Sequence, residues 1–170
     1  MSSIRRFLTN CRALWHLVRV AFLAIVLCAC AAPSQSGKIT FEGGNITAPG
    51  YVLTQEKGGD SSVVTGHLLH PGKNLMINFS LFFPEYIFAD PSFLKESNYE
   101  IIWSKISGTG SSRKITSLAI DRTLKEHKLY ISFPNGGPAN FIAKVNSEAE
   151  ITDVKKIVAT FEPKYSRRGK

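Results

Sequence analysis

From Leu75 to Phe83 the residues Leu75, Ile77, Phe79, Leu81 and Phe83 alternate with Met76, Asn78, Ser80 and Phe82. Period two with one wholly apolar side is the signature of a strand buried on one face. Pro84 stops its hydrogen bonding. Shorter stretches of similar character recur. Residues 37–42 put Ile39 and Phe41 on one side, 51–55 and 62–69 read as further strands, and 128–133 turn Leu129, Ile131 and Phe133 inward. Residues 141–145 repeat the pattern with Phe141, Ala143 and Val145. Residues 99–106 favour strand through their Tyr, Ile and Trp content, and 114–121 form a strand of mixed pattern. Gly43-Gly44, Pro49-Gly50, residues 56–61, His70-Pro71-Gly72-Lys73 and residues 108–112, 122–127 and 134–140 supply the turns between them.

After Val145 the period changes. Ser147 and Glu150 form an S-x-x-E capping box, and Ile151, Val154, Ile157, Val158 and Phe161 follow at spacings of three and four. This predicts an amphipathic helix of three to four turns, ended by Pro163, with Lys155 and Lys156 pointing away from the core. Glu148, Glu150 and Asp153 suit the positive end of the helix dipole. Asp90 as N-cap and Pro91 at the first helical position predict a second, short helix to about Ser97. The fold class expected is α+β: an antiparallel sheet packed by a C-terminal amphipathic helix, one domain over residues 38–163. The strand-loop-strand-helix ending, with VKKIVATFEP at residues 154–163, resembles the end of Mog1/PsbP-like domains, some of which are lipoproteins. That likeness brings no functional residue with it.

The first 19 residues carry Arg5, Arg6, Arg12 and Arg19 and no acid, and an apolar run from Val20 to Ala29 follows. Such a run is short of the roughly 20 residues a membrane span needs and matches a secretory signal. It ends Leu27-Cys28-Ala29-Cys30, which resembles the lipobox of bacterial lipoproteins. The resemblance implies that residues 1–29 are a signal peptide, with Leu27, Cys28 and Ala29 read by the signal peptidase. It implies a diacylglyceryl group on the Cys30 sulfur, often with a further acyl chain such as palmitate on the new amine. Residues 30–37 would be a lipidated tether of small and polar composition. Ala31 is not the Asp that retains such proteins in the inner membrane, so the family rule places the protein on the periplasmic face of the outer membrane, where the host has two membranes. A plain secretory signal cut after Ala29-Cys30-Ala31 and an uncleaved anchor running on from Leu14 are the competing readings.

Cleavage before Cys30 removes Cys11 and Cys28, and lipid caps the third cysteine. A mature protein without a free thiol has neither a cysteine nucleophile nor a cysteine metal site. The formal net charge of +8 comes from the two ends. Eight of the 21 Lys and Arg lie in the leader and the last seven positions, and the 13 left match the 13 Asp and Glu. A neutral body argues against a nucleic-acid partner.

Few motifs carry chemistry. His67 and His70, three apart on a strand, point to opposite faces and cannot share one ion, so no metal is expected. His127 sits in a turn with no partner implied by spacing. Residues 108–114 have glycines and cations but lack the phosphate-loop spacing and precede a strand, so they read as a hairpin loop. In the aromatic run 79–88, Phe82, Tyr86 and Phe88 form a possible partner surface; the competing reading packs them under the C-terminal helix. The basic tail, residues 164–170, offers Lys164, Arg167, Arg168 and Lys170 either to solvent or to anionic lipid. The expected function is therefore a lipid-anchored envelope lipoprotein with a non-enzymatic periplasmic binding domain. It would bind the membrane through Cys30 and a protein or envelope partner through its domain, with no cofactor. An immunity lipoprotein that neutralises a toxin delivered to the periplasm is the alternative, and a cell-wall or lipid hydrolase the third reading.

Overall fold

The computed structural model describes residues 37–57, 63–81, 87–135 and 138–164. It is mostly antiparallel β-sheet with few helices. The strands are β1 Lys38–Phe41, β2 Gly44–Thr47, β3 Val52–Lys57, β4 Val64–His70, β5 Leu75–Leu81, β6 Tyr99–Ser107, β7 Lys114–Asp121, β8 His127–Phe133, β9 Ala139–Lys144 and β10 Glu162–Pro163. Helix α1 spans Pro91–Glu96 between β5 and β6, and α2 spans Glu148–Ala159 after β9. A seven-stranded sheet runs β3-β4-β5-β9-β8-β7-β6, and a three-stranded sheet runs β1-β2-β10. Two meanders, β3 to β5 and β6 to β9, are thus joined where β9 pairs with β5, Phe79 opposite Phe141.

On one face Leu75, Ile77, Phe79 and Leu81 of β5 cluster with Leu129 and Ile131 of β8 and Phe141 and Ala143 of β9. Ile151, Val154, Ile157 and Val158 of α2 belong to the same cluster, as do Phe41 and Ile46 of the small sheet. On the opposite face Ala89 and Leu94 meet Ile115, Ala119 and Tyr130. Burial on both sides explains the mixed pattern of β7, in which Ile115 through Ala119 are all buried. Polar groups hold the second layer in register. The Asn140 side-chain oxygen accepts from the Phe88 amide (3.1 Å) and the Ser132 hydroxyl (2.6 Å). The Ser132 hydroxyl in turn accepts from the Ala89 amide at 3.0 Å, and Ser117 donates to the Ala89 carbonyl at 2.6 Å.

Both helix starts form at the residues the sequence marks. Asp90 accepts from the Ser92 amide at 2.9 Å with Pro91 in the first turn. Ser147 accepts from the Glu150 amide at 3.2 Å, while the Glu150 carboxylate reaches one residue further than a capping box, to the Asn146 amide at 2.6 Å. The helix end differs from expectation. Thr160 caps α2, so Phe161 lies beyond it and packs against the core from irregular chain. The cause is tertiary: Glu162 and Pro163 pair with Asn45 and Gly44 of β2. Gly44 is the residue that permits this, since a Cβ there would sit 2.5 Å from the Glu162 carbonyl oxygen. The sequence reading of Gly43-Gly44 as mere punctuation missed both β2 and β10. Lys155 and Lys156 are exposed, as expected, and the Lys155 ammonium lies 4.5 Å from the centre of the Trp103 ring and so covers that ring.

Candidate functional site

Two of the turns flagged in the sequence meet at one end of the large sheet. Pro49-Gly50 delivers Tyr51 to the start of β3, and His70-Pro71-Gly72-Lys73 closes β4. Val52 pairs with Leu69, which brings Tyr51 beside His70. Their rings meet edge to face, 5.0 Å apart at 88°. Gly50, with φ +80°, leaves the room: a Cβ there would lie 2.9 Å from Nε2 of His70. His70 pairs with Leu75, a core residue, so its ring lies on the face that also carries α2.

Helix α2 supplies the facing wall with Asp153, Lys156, Ile157 and Thr160, and these residues with Thr47, Pro49, Tyr51, His70 and Lys73 line a cavity of about 320 Å³. Lys73 donates to Asp153 at 2.6 Å and ties the β4–β5 turn to the helix. The Thr47 amide donates to the Thr160 hydroxyl at 2.8 Å on the rim.

Burial and neighbouring charges set the protonation of Tyr51 and Asp153. Burial, reinforced by the nearby Asp153 and Glu150 charges, pushes the Tyr51 phenol up to about 12. It remains an O–H donor across the physiological range. The Lys73 hydrogen bond, then the charges of Lys73, Lys156 and His70, hold the Asp153 carboxyl below its usual range despite some opposing desolvation. Tyr51 is only 7% exposed. Its hydroxyl and Nδ1 of His70 are buried without a protein hydrogen-bond partner.

A second cavity of about 270 Å³ lies at the start of α2, lined by Ile102, Leu118, His127, Val145, Asn146, Ser147, Glu148 and Ile151. It brings His127 near a serine, but the Ser147 hydroxyl is the helix cap. His67 pairs with Thr54 and Asn78 and, by strand alternation, lies on the face opposite His70. Among the described residues no group of three or more His, Cys, Asp or Glu could hold a metal ion.

Leu27, Cys28, Ala29, Cys30, Phe82, Tyr86, Arg167, Arg168 and Lys170 lie outside the described residues. Phe88 is half-buried, stacked on Phe93 of α1 at 5.4 Å. It packs on the face opposite α2, whereas Phe79 packs on the face with α2. Lys164 is tied to the small sheet: its amide donates to the Gly43 carbonyl at 3.1 Å and its ammonium to the Phe41 carbonyl at 3.4 Å. The sequence reading missed Tyr51, Lys73, Asp153 and Lys156 as site residues and left His70 as a turn histidine. The available signal was a Tyr and a His each flanking a Pro-Gly turn.

No protein-family model matches the chain, and no curated protein matches it either. No helix among the described residues is long and apolar enough to cross a membrane.

Proposed function

We propose that the chain is a bacterial lipoprotein, held by lipid on Cys30 at the periplasmic face of the outer membrane, whose domain is a non-enzymatic binding module for a protein or envelope partner. The observation that carries the anchoring is Leu27-Cys28-Ala29-Cys30 at the end of an apolar run preceded only by basic charge. Strand β1 begins at Lys38, so the tether from Cys30 is short. Two or more acyl chains hold a protein to a membrane firmly where one does not. We read α2 as the layer that packs the sheet, because its four buried residues share one cluster with β5, β8 and β9. The reading as a binder is supported by the Tyr51–His70 cavity, which offers donors and cations while its phenol is held protonated.

Labelling with radioactive palmitate and membrane fractionation test the anchor. The wild-type protein should take up label, partition into detergent and fractionate with the outer membrane. The Cys30→Ser protein should be unlabelled and absent from the detergent phase. A Cys30→Ser protein that stays in the membrane fraction with its mass otherwise unchanged refutes the lipoprotein, and wild-type protein in inner-membrane fractions refutes the location.

A further inference from the structure

We propose that the cavity between Tyr51, His70 and α2 binds a small organic anion, its oxyanion head taken by the Tyr51 hydroxyl, the His70 imidazole and the Lys156 ammonium. Buried polar side-chain atoms are ordinarily hydrogen-bonded, and those that are not call for a specific explanation. Among the described residues two such atoms lack a partner, the Tyr51 hydroxyl and Nδ1 of His70, and they belong to two rings in contact in one cavity.

The sign of the ligand follows from the walls. Asp153 is neutralised by Lys73 at 2.6 Å, which leaves Lys156 to set the local charge. A cation would meet the Lys156 ammonium with the Asp153 carboxylate already taken by Lys73, whereas an anion would accept from Tyr51, His70 and Lys156. The raised phenol pKa keeps Tyr51 in its donor form. Pro49, Ile157 and the Tyr51 ring supply apolar wall, suited to a short hydrocarbon body. At about 320 Å³ the cavity lies at the small end of ligand sites, enough for a compact molecule. That the ligand is held and not converted rests on the binding reading above. The anchor at Cys30 is independent of it.

The test uses the full chain in detergent micelles, with ¹⁵N-labelled histidine and the His70 ring signals assigned through His70→Gln. Benzoate is the anionic probe, and benzylamine, with a similar body and opposite charge, is its control. Saturable movement of the His70 signals with benzoate and none with benzylamine is expected. Tyr51→Phe and Lys156→Gln should each raise the benzoate Kd about tenfold, the scale of one lost hydrogen bond to a charged group. Lys156 is exposed, so its variant keeps the test decisive if Tyr51→Phe fails to fold. Equal response to benzylamine, no saturable response to benzoate, or an unchanged Kd in the variant that folds overturns the proposal. So does a His70 response confined to micelles doped with phosphatidylglycerol, which would make the ligand a lipid headgroup. None of these failures alters the palmitate label on Cys30, so the two readings fail separately.

Discussion

Asp121 closes the turn between β7 and β8 by accepting from the Thr123 and Leu124 amides, each at 3.0 Å, and from the Lys128 ammonium at 3.0 Å. The Leu124 amide first, and the Lys128 hydrogen bond next, bring its carboxyl down to about 2. An unfolded Asp titrates near about 3.9. A depressed folded pKa contributes stability that is present above the unfolded value and lost as pH falls through the folded one. Urea midpoints should therefore drop between about pH 4 and pH 2, and Asp121→Asn should flatten part of that drop. Phe161 presents a different balance. Its ring lies 5.1 Å from Phe141, 6.0 Å from Phe133 and 6.1 Å from Phe41, yet it is only half-buried. Phe161→Ala should cost about 2–3 kcal/mol in chemical denaturation, below the range for a fully buried Phe. Lys155→Ala, which uncovers Trp103, should cost about 0.5–1 kcal/mol, against under about 0.5 for Lys156→Ala. Equal costs for the two lysines would remove the role assigned to the Trp103 contact.

At the scale of elements, the start of α2 is secured locally and its end is not. Ser147→Ala removes the cap on the Glu150 amide and should lower stability by about 1 kcal/mol. The end depends on β10, and β10 depends on the absence of a side chain at Gly44, where a Cβ would also lie 2.8 Å from the Phe161 ring. Gly44→Ala should therefore detach β10 as well as destabilise the domain. Hydrogen exchange at the Lys164 amide, bonded to the Gly43 carbonyl, reports this directly. Retained protection there in Gly44→Ala would show that the backbone shifts without losing the pairing. The caps and the helical stripe through Val158 are legible from residues three or four apart. The helix end is not, because it is decided by a strand more than a hundred residues earlier.

For the whole molecule, the proposed processing leaves no free thiol, which makes a simple demand. The melting temperature of the mature protein should be the same with and without dithiothreitol. A clear fall in reductant would mean that the cleavage site lies elsewhere and that a disulfide survives. Sheet order carries a second consequence. Because β9 sits between β5 and β8, the two meanders share one core, and Phe141→Ala at that junction should lower the unfolding midpoint in both. Probes in β4 and in β7 should then report a single transition; two separated transitions would show that the meanders fold apart.

By itself the sequence determined the strands with period-two patterns, the amphipathic stripe of α2, both N-caps and the opposed faces of His67 and His70. Each follows from backbone geometry acting over a few residues. Only the tertiary structure decided which strand edges pair, why β7 is buried on both faces, where Phe161 goes, and that Tyr51 and His70 share a cavity with Asp153 and Lys156. A period records which face of an element is apolar, but not which distant element covers it. That choice belongs to the competition among nonlocal contacts, and the candidate site is assembled from such contacts between two turns and a helix.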